Sequence, residues 1–155
     1  MLYAIPEEET FGVAVMEADR KELVMNIEWK YKIDLVDNAL SEMASKYQIV
    51  IPEDLKSLLK IANAATPSKT RFMFKVDEKI LGAILSFNPD EKEADSFESA
   101  MQIGFDKNII PFGIDPFGNY ICYNTNDNSI VFFDHEEDST ETVASSLEDF
   151  LKMLY

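Results

Sequence analysis

The chain has 155 residues, 46% of them hydrophobic and 28% charged, the proportions of one globular domain rather than of a disordered or membranous chain. Its 14 Lys and Arg stand against 29 Asp and Glu, a formal charge of −15. This argues against nucleic acid and anionic membrane as partners, since both draw their affinity from Lys and Arg, and favours a basic partner instead. The single Cys leaves no internal disulfide and suits a reducing compartment.

The start, Met1-Leu2-Tyr3-Ala4-Ile5-Pro6-Glu7-Glu8-Glu9, lacks the basic head and apolar run of a secretory signal. No stretch approaches the ~18 apolar residues of a membrane span, so a cytoplasmic location is expected. Residues 11–15 form a short apolar run of strand type. In residues 23–32, Leu23, Met25, Ile27, Trp29 and Tyr31 alternate with mostly polar neighbours, the period of a half-buried strand. The period then lengthens. Val36, Ala39, Leu40, Met43, Ala44 and Tyr47 mark the core stripe of a helix, with Asp34 or Asp37 as its cap. A second helix follows, with Pro52 at its first position, Glu53 and Asp54 at the positive end of its dipole, and Leu55, Leu58, Leu59 and Ala62 inward.

Phe72, Phe74 and Val76 alternate as a strand, Asp77-Glu78-Lys79 turn the chain, and the apolar run 80–87 reads as a central strand. Asn88-Pro89-Asp90-Glu91 suits the start of a helix carrying Ala94, Phe97 and Met101 on one face. Beyond it the chain is β-rich. A strand from Ile109 to Gly113, a turn at 115–119, a strand from Tyr120 to Tyr123, a polar turn at 124–128 and a return strand from Ile130 to Phe133 include the clearest hairpin of the sequence. A terminal helix places Leu147, Phe150, Leu151 and Leu154 on one face, and Ser145 with Glu148 fits a capping box. Strands and helices mix without a regular βαβ rhythm. The expected fold is α+β, a single domain over residues 1–155 with a mainly antiparallel sheet of about six strands and helices packed against it.

Several segments together carry a family resemblance. Ile110-Pro111-Phe112-Gly113, Gly118-Asn119-Tyr120-Ile121-Cys122-Tyr123, Ile130-Val131-Phe132-Phe133-Asp134-His135-Glu136 and Val143-Ala144-Ser145-Ser146-Leu147-Glu148-Asp149-Phe150-Leu151 resemble the SUKH superfamily of Smi/Knr-like domains. Upstream, Ile51-Pro52-Glu53-Asp54-Leu55-Lys56-Ser57-Leu58-Leu59 is similar to that family's early helix. The match covers residues 34–155 and leaves 1–33 outside it; Leu147 stands where the family has Phe, and the turn of glycines contains Pro116 and Phe117. The resemblance implies a SUKH-like fold and a non-catalytic binding role. Small acidic bacterial members are mostly immunity proteins that bind and block a cognate toxin, often a nuclease. Others are regulatory or scaffold modules, including regulators of fungal cell-wall synthesis. In physical terms, Pro111 fits a strand edge or entry, Gly113 and Gly118 permit turns with positive φ, and Phe112, Phe132 and Phe150 are core volume.

Catalytic and metal chemistry find little support. Cys122, between Ile121 and Tyr123 in a strand, reads as a buried inert thiol rather than a nucleophile with His135 as base. His135 has no second His to complete a zinc site, and 124–128 lacks the Gly and bidentate Glu of a calcium loop. No phosphate or dinucleotide loop and no nucleophile elbow is present, so neither enzyme activity nor cofactor is expected. The acidic clusters remain: Asp90, Glu91, Glu93, Asp95 and Glu98 near the third helix, Asp115 in the first turn of the β-rich part, and Asp134, Glu136, Glu137, Asp138 and Glu141 after the hairpin. A single carboxylate is ordinarily solvated surface, but −15 exceeds the magnitude of about 2–8 that solubility asks for. These residues are therefore expected to meet a basic protein partner, with Trp29 or Tyr31 as an aromatic anchor if one stands outside the core. The protein itself is expected to be a monomer or weak dimer.

Overall fold

In the computed structural model, residues 26–155 are described; the apolar run 11–15 and positions 23–25 lie outside them. The largest element is a five-stranded antiparallel sheet in the order β5-β6-β7-β8-β9: β5 (Ala83–Ile84), β6 (Ile109–Ile114), β7 (Tyr120–Asn124), β8 (Ser129–Asp134) and β9 (Ser139–Ala144). Two-stranded ribbons flank it, β1 (Trp29–Lys30) with β2 (Thr66–Pro67) and β3 (Arg71–Phe74) with β4 (Asp77–Ile80). Among the described residues four helices accompany these strands in the α+β domain: α1 (Ala39–Tyr47), α2 (Glu53–Ala62), α3 (Phe97–Ala100), continued by a 3-10 turn at Met101–Ile103, and α4 (Leu147–Met153). Among the described residues this sheet has five strands, and the remaining strands are short ribbons.

The two-residue period sorts the sheet into two faces. Ile110 and Phe112, Ile121 and Tyr123, and Ile130 and Phe132 join the main core with Leu55, Leu58 and Leu59 of α2 and Leu147 and Phe150 of α4. On the other face, Cys122, Val131 and Phe133 form a smaller cluster with Phe105 and Ile109. Phe150 meets Phe72 and Phe112 edge-on, with centroids 5.0 and 6.3 Å away, and Phe87 stacks on Phe97 at 4.3 Å. Each such ring withdrawn from water stabilises by about 1.5–3 kcal/mol.

Where expectation and structure part, a specific contact decides. Among the described residues the alternating segment contributes only β1, which ends where Tyr31, with φ 64, turns the chain out of the ribbon. Helix α1 begins at Ala39, capped by neither Asp34 nor Asp37 but preceded by Asn38, whose carbonyl accepts the Glu42 N–H at 2.9 Å. The second helix is as expected, with all four apolar residues buried, although Pro52 precedes its first residue. The β3–β4 hairpin turns at Lys75 (φ 56) and Val76, two residues earlier than expected, so Asp77–Ile80 is itself a strand.

Run 80–87 is buried but forms no central strand. Only Ala83 and Ile84 join the sheet, at its edge, and the far side is closed by loops: Ile84 donates to the Ala65 carbonyl and Ser86 to that of Asp95, each at 2.8 Å. No helix starts at Asn88; Ser96 caps α3, its hydroxyl accepting the Ser99 N–H. Pro111 sits at a register shift in an inner strand rather than at an edge, a place where a missing N–H costs no ladder bond. Gly113 does not take the positive φ expected of it; a Cβ there would lie 2.6 Å from Leu81 Cδ1, so that buried side chain would have to shift. Strand β9 was not expected at all, and α4 is capped one residue later than expected, by Ser146 accepting from Asp149 N–H.

Candidate protein-binding surface

The residues with catalytic potential are dispersed. Cys122 is wholly buried in β7, and burial pushes its thiol well above the ordinary range, so no thiolate is available as a nucleophile. His135 lies instead at the exposed end of β8, its Nδ1 2.7 Å from Asn119 Oδ1. Among the described residues no three His, Cys, Asp or Glu side chains converge as a metal site requires. Tyr123 is also buried; burial, then the Asp54 carboxylate 3.1 Å from its hydroxyl, raises its pKa.

Glu91 and Glu98 of the first acidic cluster are bound into the fold. Buried Asn63 donates to the Ile33 carbonyl at 2.9 Å and to Ser86 Oγ at 3.3 Å, and accepts from Phe87 N–H at 2.8 Å. Ser86 donates in turn to Glu91 Oε1 at 2.7 Å, and Glu93 N–H donates to Glu91 Oε2 at 3.1 Å. Partial burial opposes ionisation of Glu91, but these donors outweigh it and hold the carboxyl below its usual range. Asn88 spans the same region, accepting from Val36 N–H at 2.8 Å and donating to the Asp34 carbonyl at 3.0 Å. Glu98 accepts from Lys46 at 2.6 Å and from the backbone of Asp90 at 2.7 Å, and this pairing lowers its pKa. An open groove of about 470 Å³ runs here between Ser41, Glu42, Lys46, Pro89, Asp90 and Glu98. Glu93 and Asp95 are exposed beside it.

The second cluster lies at one end of the sheet, where the β6–β7 and β8–β9 turns meet. Asp115 is 7% exposed and organises its turn, Oδ1 accepting from Phe117 and Asn119 N–H at 2.9 and 2.8 Å and Oδ2 from the Asn119 amide at 2.9 Å. Its carboxylate is spent on bonds within the turn. Gly118 has φ 89, and a Cβ on it would lie 3.6 Å from the His135 ring. Asn119 Oδ1 also accepts His135 N–H at 3.0 Å, tying the two turns together. Asp134 accepts from Glu136 and Glu137 N–H at 2.9 and 3.2 Å. That leaves Glu136, Glu137 and Asp138 exposed and, among the described residues, in no ion pair. Glu141 is partly neutralised by Lys75 at 3.4 Å.

Of the two candidate anchors, Trp29 packs against the core while Tyr31 is 83% exposed. An aromatic overlooked in the sequence is Phe117, 69% exposed at the tip of the Asp115 turn. Its only sequence signal is an apolar residue inside a Pro-Phe-Gly-Asn turn.

The helix order, the β6–β9 meander and the closing helix coincide with a family pattern: the model of the SMI1 / KNR4 family (SUKH-1) matches residues 35–153. The chain belongs to this family. SUKH domains are generally non-catalytic binding domains. Membership is consistent with an immunity or a Smi1/Knr4-type domain. No curated protein matches the chain. No helix of the described residues is long and apolar enough to cross a membrane.

Proposed function

We propose that this SUKH domain is a stoichiometric, cofactor-free binding protein of the cytoplasm, an immunity protein that neutralises a basic bacterial toxin by covering its cationic site. Family membership over residues 35–153 carries this reading, and the charge of −15 supports a basic partner. A nuclease must offer Lys and Arg to phosphates, and an acidic surface can occupy that site while repelling nucleic acid. Encounter would be fast and salt-sensitive, with desolvated aromatic and Arg contacts holding the complex.

The test is affinity purification of the tagged full chain from its native host, with mass spectrometry of bound chains, followed by co-expression with the toxin recovered. Co-purification of one basic toxin, and rescue of cells expressing it, is the expected result. The same family match favours a second reading, a Smi1/Knr4-type regulatory module. That module would recover endogenous partners and protect against no toxin.

A further inference from the structure

The edge strand of a sheet carries a row of unpaired backbone donors and acceptors unless something covers it. The β5 edge is covered, since the Ile84 and Ser86 N–H groups donate to the carbonyls of Ala65 and Asp95, each at 2.8 Å. The start of β3 is closed as well, by reciprocal backbone bonds between Arg71 and Tyr155 at 3.1 and 2.9 Å. Strand β9 differs. It pairs with β8 on one side, and among the described residues no backbone group bonds to its other side. Ser139, Thr140, Glu141 and Thr142 are all exposed. The strand contains neither Pro nor Lys, the residues that ordinarily blunt such an edge, and its Thr and Val suit a pleated ladder.

Charge selects the occupant. Residues 134–149 contain seven Asp and Glu and no Lys or Arg. Lys75 reaches Glu141 at 3.4 Å and Lys152 reaches Glu148 at 3.3 Å, whereas Glu136, Glu137 and Asp138, at the entry to the strand, are in no ion pair among the described residues. A second copy laid along β9 would bring two such stretches together and is repelled, and a cationic strand is attracted. We infer that the open edge of β9 receives an extended, cationic segment of a partner protein, which adds to the sheet as a sixth strand. Main-chain bonds supply the affinity of such an addition and alternate side chains its specificity. On one face the incoming residues lie beside Thr140 and Thr142, the register partners of Phe133 and Val131; on the other they lie beside Glu141, the register partner of Phe132. The inference rests on the reading of the protein as a binder of basic proteins and assigns the place and the mode of contact within it.

The experiment adds two peptides of about nine residues and equal charge to the isotope-labelled full chain, and follows amide exchange. One alternates lysine with valine and the other lysine with proline, which has no N–H for a ladder. In the free chain every second amide of β9 should exchange fast. The lysine–valine peptide should slow that set by at least about tenfold and bind about tenfold tighter than the lysine–proline peptide. Thr142→Lys, a change at an exposed position, should remove most of this difference and keep the wild-type spectrum elsewhere. Equal binding of the two peptides, or protection centred away from β9, would overturn the inference while leaving the broader reading intact. Amides of the open edge already protected in the free chain would overturn it too, in favour of a second copy if dilution removes the protection and of this chain's own residues if it does not. Failure of either peptide to bind at low salt would overturn both.

Discussion

Two acidic stretches of similar composition are anchored differently in this fold. Before and within α3, Glu91 is held by Ser86 and Asn88 and Glu98 by Lys46 and the Asp90 backbone, while Asp90, Glu93 and Asp95 stay exposed. At the end of β8, only Asp134 is consumed internally, and the next three acids face solvent. A carboxylate that already accepts hydrogen bonds has little left to offer a partner. Charge density along the chain therefore marks where an interface is affordable in sign, while the hydrogen bonds decide where the charge is still free.

Substitutions separate the two roles. The largest effect is expected at Asn63, buried at 2% exposure and bonded to Ile33, Ser86 and Phe87. Asn63→Leu strands those buried groups and should lower stability by about 3 kcal/mol, read as a shift in urea midpoint; a loss under ~1 kcal/mol would show that the network does not hold the loop. Glu91→Gln should cost about 1 kcal/mol at neutral pH. The pH dependence has a definite sign. Because the folded Glu91 carboxyl is held below its usual range, its contribution is complete above the unfolded value and is lost as pH falls through the lower folded value. Wild type should thus lose stability in acid below the ordinary Glu range more steeply than Glu91→Gln; parallel curves would contradict the assignment. Smaller still, Glu98→Gln should lower the midpoint less than Glu91→Gln, since its partner Lys46 lies on the surface. The double variant Glu136→Gln/Glu137→Gln should leave stability within about 0.5 kcal/mol of wild type. It should nonetheless slow association with a basic partner, and an unchanged rate would remove this turn from the interface.

Legibility in the sequence followed locality. Helix α2 and the β6–β8 meander were readable because their core residues repeat at fixed short spacing and their turns carry Pro, Gly and Asn. The loop after Phe87 was not, because Asn88 has the chemistry of a helix cap while its side chain serves Val36, 52 residues upstream. Strand β9 escaped because Ser139, Thr140, Glu141 and Thr142 are all exposed, so no apolar alternation marks them. The family pattern and the sign of the surface were legible from the residues. That Asp115 is structural and Phe117 exposed was not, since both depend on the Asp115–Asn119–His135 bonds rather than on residue type.

The most direct measurement is the association rate of the protein with its co-purifying basic partner, followed by stopped-flow across ionic strengths spanning the physiological value. A rate that falls at least about tenfold as salt rises, with the dissociation rate nearly constant, is expected for capture by an acidic surface. An association rate indifferent to salt would contradict it.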